Sequence, residues 1–339
     1  EAADARHLQR VDQLAGGEHR ATLAFIVGRV DELHRDVGRR EREHRVRKFA
    51  RQHLAQLAHV VGGGPVLGAQ RDLDVAVQHP VYRALWHPAL RRMDTLIANS
   101  RPTMALVREL GIGAQKLEIV HPGVELPQAP QAPDALLSFR QRHGLGNARL
   151  LLSVGRLTTR KGLLEFVQHA LPTIVRSAPD TLLVVVGDAP ANALHASVQS
   201  RESIQAAADA AGIGEHLRFL GLVTDAELAC AYESATLHVF PVRHISGDPE
   251  GFGMVAVEAA ARGLPTVAFA VGGVVDAVAS GQSGQLIAPG DYDKLVGAVL
   301  HILSDRGMDW QSEATAFARQ FAWPAFGENL RSALQHPVQ

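Results

Sequence analysis

Two glutamates eight positions apart, Glu250 and Glu258, bracket most of the stretch "GDPEGFGMVAVEAAARGLP" (247–265). A core helix has no use for a carboxylate at Glu258 among Val257, Ala259, Ala260 and Ala261 unless a polar partner waits there. If the helix opens over Phe252 to Val255, its first turn presents unpaired N–H groups beside Gly251 and Gly253. Such a terminus attracts phosphate through those donors and its partial positive charge, and glycine lets the backbone come close to a ligand. A nucleotide-diphosphate sugar has a matching layout, with sugar hydroxyls at one end, ribose hydroxyls at the other and pyrophosphate between; carboxylates grip such hydroxyls well. The spacing alone fits equally an exposed cap carboxylate followed by a snorkelling glutamate.

A second stretch, "SVGRLTTRKG" (153–162), supplies Arg156 and Lys161 around a turn, with Gly162 opening the next helix. Two cations at a helix entrance can hold a diphosphate and stabilise it as it leaves. The chain has only four lysines, so one placed here carries some information. Asp188, at the end of "DTLLVVVGD", reads equally as a ligand contact or a strand-end cap, His244 is placed to reach this site, and His238 reads as a core histidine.

The elements that must position these residues alternate. "RLLLSVG" (149–155), "DTLLVVVGD" (180–188), "LRFLG" (217–221), "TLHVFP" (236–241), "PTVAFA" (265–270) and "GQLIAP" (284–289) read as strands. Helical stretches separate them, among them Gly162 to Arg176 and Asn192 to Ala211. Short Val/Leu-rich strands alternating with helices predict βαβ units and a parallel, doubly wound sheet, whose ligands bind at the carboxyl edge. Upstream, "MDTLIANS" (93–100) reads as a strand ending at a Ser100 helix cap, with Pro102 in the first turn and Gly111 stopping the helix after Leu110. "KLEIVHPGV" (116–124) and "TLAFIVG" (22–28) read as further strands, and the proline-rich "ELPQAPQAPDA" (125–135) as an interdomain linker.

With 339 residues, 46% of them hydrophobic, the chain has room for two domains. A formal net charge of −1 gives no chain-wide case for nucleic acid or an anionic membrane. The single cysteine, Cys230, excludes a disulfide framework within one chain and suits a reducing, cytoplasmic setting. No apolar run is long enough for a transmembrane helix. The chain opens on Glu1 with no signal-peptide pattern, which reads as a processed or truncated start. Residues 34–53 carry eight Lys/Arg against three Asp/Glu, either a solvated helix or a patch for an anionic surface. The Asp72–Asp74 spacing resembles a metal-binding pair but lacks its sheet context, and no zinc-ligand spacing appears.

Taken together, residues of about 90–335 resemble the retaining GT-B glycosyltransferases of family 4. The specific parts are Glu250 and Glu258 within "PEGFGMVAVEAAARGLP", and "VGRLTTRKG" with Arg156 and Lys161. "ANS" (98–100), "VHPGVE" (120–125), "VVVGD" (184–188), "RFLGLV" (218–223), "GGVVDAV" (272–278) and "QFAWPAFGENL" (320–330) add to the likeness. The resemblance implies an α/β fold of two Rossmann-like doubly wound domains facing a cleft. Residues 1–124 would form the acceptor-side domain, with 1–80 atypical or incomplete, and 125–147 the linker. Residues 148–322 would form the donor domain, and 323–339 a final helix packing back on the first domain. It further implies that Glu250 contacts the transferred sugar and Glu258 the ribose, and that Arg156 and Lys161 bind the diphosphate. Backbone N–H groups at Phe252, Gly253, Met254 and Val255 would complete the phosphate site beside Gly251, with Leu222 and Val223 near the base.

The activity so implied is transfer of a hexose from a UDP- or GDP-sugar, with retention, to a lipid-linked or polysaccharide acceptor. No metal or other cofactor is expected. The expected setting is cytoplasmic glycan synthesis at the inner face of a membrane, with peripheral contact through the basic 34–53 region. The family's early Gly-rich loop and first-domain histidine have no clear counterpart; "VVGGGP" (60–65), His79 and His87 are the nearest candidates. A nucleotide-sugar epimerase of the same fold and an inactive nucleotide-sugar-binding protein remain alternatives.

Overall fold

The apolar runs fold as their pattern predicts, because strands of Val and Leu buried on both faces pair most readily in parallel when helices return the chain. The computed structural model describes residues 23–26, 90, 95–189, 198–246, 248–305 and 307–335. A six-stranded sheet, parallel throughout, contains β4 (Arg149–Val154), β5 (Thr181–Val186), β6 (Leu217–Gly221), β7 (Leu237–Phe240), β8 (Thr266–Phe269) and β9 (Gly284–Ile287). Its strand order is β6-β5-β4-β7-β8-β9. The chain therefore winds outward from β4 to β6, then returns to β4's other side with β7. That reversal leaves an open crevice beyond the carboxyl ends of β4 and β7, the usual ligand position in such sheets.

The first sheet along the chain is three-stranded and parallel, with the order β1-β2-β3, from Leu23–Ile26, Thr95–Ala98 and Leu117–Ile119. Helix α1 (Arg101–Glu109) follows β2, and the Ser100 hydroxyl accepts the Thr103 N–H at 3.2 Å, as the cap reading predicts. Gly111 ends the helix at φ 77. The final helix α11 (Trp323–Gln335) lies against this sheet, where Phe326, Leu330 and Ala333 pack with Ile97 and Val120.

Three helical readings need correction. Residues 133–142, inside the segment read as a linker, form helix α2. Pro133 starts that helix, where a missing N–H costs nothing, and Phe139 anchors it in the core at 1% exposure. The expected helix Gly162 to Arg176 is two, α3 (Leu163–His169) and α4 (Leu171–Ser177), because Pro172 has no N–H to continue the ladder. Of the helix expected over Asn192–Ala211, residues 192–197 lie outside the described residues, and the described helix is α5 (Arg201–Ala210), capped by Ser200. Ahead of it Val198 bridges Thr158, and the Gln199 N–H donates to the Leu157 carbonyl, so the chain is extended there. Helix α6 (Asp225–Ser234) opens with a capping box between Thr224 and Glu227. Helices α7 (Met254–Ala261), α8 (Val274–Ala277), α9 (Tyr292–Ser304) and α10 (Trp310–Ala318) complete the described set. The basic run 34–53, Gly62–Gly64, Asp72–Asp74, His79 and His87 lie outside the described residues.

Candidate functional site

The loop after β4 tightens into a short 3-10 turn, Thr159–Lys161, and passes through Gly162 at φ +69. A β-carbon at Gly162 would stand 2.0 Å from the Pro241 carbonyl oxygen, so only glycine lets this turn lie against the exit of β7. The Arg243 N–H also donates to the Arg160 carbonyl at 2.8 Å. These contacts bring Arg160 and Lys161 to the segment that leads from β7 to α7, and Glu250 lies on that segment.

Glu250 is buried, at 2% exposure. Lys161 Nζ donates to its Oε2 at 2.9 Å, and Arg160 Nη1 pairs with the same oxygen. Arg160 Nε lies 3.5 Å from Asp248 Oδ1, and the Lys161 ammonium sits 4.8 Å from the centre of the Phe240 ring. A carboxylate this deeply placed stays charged only with such partners. The sequence reading found Glu250 and Lys161 but passed over Arg160 and Asp248. The adjacent basic pair at 160–161 was the only local signal. Arg156 is half-buried on the same loop, and its buried Nη2 has no hydrogen-bond partner among the described residues. That guanidinium edge suits an anionic group.

Helix α7 begins after Gly253, which has no side-chain oxygen to cap it. The N–H groups of Met254 and Val255 therefore have no acceptor within the helix. Their side chains and that of Phe252 are buried, so this turn can offer a ligand only its backbone. Gly251 and Glu250 are held from behind by Gly272 and Gly273. The Gly273 N–H donates to the Glu250 carbonyl at 2.8 Å, and a β-carbon at Gly273 would stand 2.0 Å from the Gly251 oxygen.

Glu258 is half-buried on α7, and the Tyr232 hydroxyl donates to its Oε2 at 2.9 Å. Tyr232 comes from α6 and is 2% exposed, so this is the polar partner that a glutamate in an apolar helix requires. Sequence reasoning missed Tyr232 because it lies 26 residues away on another helix. Leu222 is 59% exposed just after β6, whereas Val223 is 5% exposed and its side chain belongs to the core. His238 is fully buried, with Nδ1 3.1 Å from Thr266 Oγ1, in keeping with a core histidine. His244 is exposed. The Asp188 carboxylate accepts the Ala189 N–H at 2.8 Å and faces Arg201 at 3.5 Å.

The first sheet reaches the same loop. The His121 ring stacks on Phe252 with centroids 5.2 Å apart, and its Nδ1 donates to the Asn99 carbonyl at 3.0 Å. Asp276, on α8, accepts the Arg101 N–H at 2.6 Å and the Arg101 Nε–H at 2.5 Å.

Residues 138–320, which contain both glutamates and the loop that faces them, match the family described as glycosyl transferases group 1. The chain belongs to that family. Among its curated relatives is a GDP-mannose-dependent alpha-(1-6)-phosphatidylinositol monomannoside mannosyltransferase of Mycolicibacterium smegmatis, 32% identical over 223 residues. That match covers 64% of this chain and 56% of the relative. D-inositol 3-phosphate glycosyltransferase 2 of Catenulispora acidiphila is 34% identical over 242 residues, covering 68% of this chain and 53% of that protein. The chain thus spans little more than half the length of either relative. In fold it is similar to Anabaena HepE, solved in complex with UDP and glucose (TM-score 0.66, 22% identity, 83% of this chain and 74% of that one). It is similar also to WaaG, a glycosyltransferase involved in lipopolysaccharide biosynthesis (TM-score 0.58, 20% identity, 98% of this chain and 80% of that one). The α/β architecture of the group 1 chain is accordingly that of GT-B glycosyltransferases.

Proposed function

We propose that this chain is a retaining glycosyltransferase of family 4 that moves a hexose from a nucleotide-diphosphate sugar to a lipid-linked or saccharide acceptor. The observation that carries the reading is the Lys161–Glu250 pair at the sheet's reversal point, beside the open end of α7. Arg156, Lys161 and the N–H groups of Gly253, Met254 and Val255 hold the diphosphate and take up the charge that grows as it leaves. Glu250 accepts hydrogen bonds from the sugar hydroxyls once the arriving phosphate draws Lys161 away. Glu258, aimed by Tyr232, accepts from the ribose hydroxyls, and the exposed Leu222 offers an apolar face to the base. The departing phosphate oxygen lies on the face of the sugar where the acceptor hydroxyl enters, so it guides that hydroxyl in and the anomeric configuration is kept. Cationic side chains and a helix terminus supply the neutralisation, and the residues of this site need no metal for it.

The GDP-mannose dependence of the Mycolicibacterium relative favours a guanine donor, and the UDP complex of HepE keeps a uracil donor in play. Cytoplasmic glycan synthesis, with a peripheral contact of the 34–53 region at the inner membrane face, completes the proposal. Vesicle binding that survives replacement of its arginines by glutamate would dispose of the membrane part. Among the described residues no helix is long and apolar enough to cross a membrane.

Calorimetric titration with UDP and with GDP, beside Lys161→Ala and Glu258→Ala, tests the donor site. Binding of one nucleotide, weakened in both variants, supports the reading and names the base. Absence of binding to either by the unsubstituted chain sinks it. Release of hexose from the matching donor then separates a transferase from a protein that only binds.

A further inference from the structure

Two cations meet one carboxylate oxygen at this site, yet they are built differently. Lys161 reaches Glu250 by a flexible stem and a point charge, which suits exchange between a carboxylate and a phosphate. Arg160 is 4% exposed and faces Glu250 through Nη1 and Asp248 through Nε, while its carbonyl is tied to the Arg243 N–H. Among the described residues it joins Lys161 and the two carboxylates in one charge cluster. If a diphosphate draws Lys161 away, Glu250 is left as a buried carboxylate with one counter-charge fewer. Burial then favours its protonated form. Once protonated it has lost acceptor capacity for sugar hydroxyls. A guanidinium does not give up its proton and holds a fixed fork geometry.

We propose that Arg160 is the positioning residue that keeps Glu250 ionised and aimed while Lys161 passes to the donor diphosphate. The inference rests on the transferase reading and divides the work between neighbouring cations: Lys161 exchanges partners and Arg160 stays. Asp248, 3.5 Å from Arg160 Nε, shares the same guanidinium charge with Glu250.

The test follows the Glu250 carboxyl by carbon-13 resonance, assigned by its loss in Glu250→Gln, in protein with and without saturating UDP or GDP. In Arg160→Gln the Glu250 titration midpoint rises by about one pH unit. Arg160→Lys recovers most of that shift. Nucleotide affinity in Arg160→Gln stays within about threefold of the unsubstituted chain, unlike that of Lys161→Ala. An unmoved midpoint overturns the proposal. So does a loss of nucleotide binding equal to that of Lys161→Ala, which would make Arg160 a phosphate ligand. Should Arg160→Gln not fold, Asp248→Asn reads the same coupling from the other side. Removing negative charge beside Arg160 lowers the Glu250 midpoint, and no movement refutes the idea. Failure of the transferase reading shows separately, as absent UDP and GDP binding by the unsubstituted chain. The nucleotide-free titration still reports what Arg160 does to Glu250.

Discussion

Replacing Gly273 by alanine adds one methyl group at the point where α8 begins and the Glu250–Phe252 segment passes behind the site. Gly273 has φ −67 and ψ −6, angles that alanine adopts without strain, so the substitution tests only the closeness of the two backbones. Its β-carbon would stand 2.0 Å from the Gly251 oxygen and 2.5 Å from the Phe252 α-carbon. Ordinary contact begins near 3.4 Å, so one segment must retreat by about 1.4 Å in a close-packed setting. Overpacking of this kind costs about 1–3 kcal/mol of stability. A shift of about 1 Å in a group that touches substrate can cost on the order of 100-fold in rate. The expected outcome is a lower melting temperature together with a loss of turnover larger than the loss of nucleotide affinity, since Glu250 moves while Glu258 and Tyr232 do not. Gly297→Ala is the matched control: it sits exposed on α9 with open space at its β-carbon. There alanine should stabilise the chain by about 0.5–1 kcal/mol. Thermal unfolding, calorimetry and donor turnover on the two variants decide the matter. If Gly273→Ala melts and turns over like the unsubstituted chain, the cradle behind Glu250 does not hold the site.

Tyr232→Phe removes the hydroxyl that meets Glu258; it should cost about 1–2 kcal/mol of stability and weaken nucleotide binding about tenfold. Equal affinity for UDP and GDP before and after would mean that Glu258 needs no such support. Asp276→Ala takes the acceptor from the first N–H of α1 and from Arg101, a residue whose side chain is 68% exposed, so the ion pair counts for little. The expected loss is about 1 kcal/mol, that of a helix cap, read by urea unfolding. Burial pushes the Cys230 thiol up, with the charge of Glu233 adding to it. The folded chain therefore holds less thiolate than the unfolded chain at about pH 8. Alkylation there should be slower in native protein than in urea, with the difference narrowing as pH rises through the folded value.

Elements whose signal lies in a few consecutive residues could be read from the sequence. All six strands of the larger sheet announce themselves as short, largely apolar runs, and Ser100 and Gly111 mark the ends of α1 by chemistry that needs no distant partner. The segment 125–147 misled because its prolines resemble a linker while one of them, Pro133, is placed to start a helix. Pro172 carried the division between α3 and α4 in plain view, but the apolar pattern runs through it and suggests continuity. At the site, the glutamates and Lys161 stand out because each is the wrong residue type for its surroundings. Their partners do not. Tyr232 looks like a core aromatic until its hydroxyl meets Glu258, and Arg160 looks like a surface charge until Gly162 folds its turn against Pro241. Pairings between residues 26 and 89 positions apart are made by the winding of the sheet, which no local window contains.

Helix α11 has a consequence for the order of events during synthesis. It supplies Phe326, Leu330 and Ala333 to the face of the first sheet made by Ile97 and Val120. Roughly 200 residues separate the end of β3 from the start of α11, so at ribosomal speed that apolar face waits about 10–40 s for its cover. During that interval the second sheet has all of its strands and can fold, while the first is left with a sticky flank. The chain reaches α11 along a segment where Val124 and Ala322 run side by side, and the Val124 N–H donates to the Phe321 carbonyl at 2.6 Å. Helix α11 is thus led back to the first sheet through a single bridge to a residue laid down earlier. Nascent chains halted before α11 emerges should be the ones that recruit chaperones.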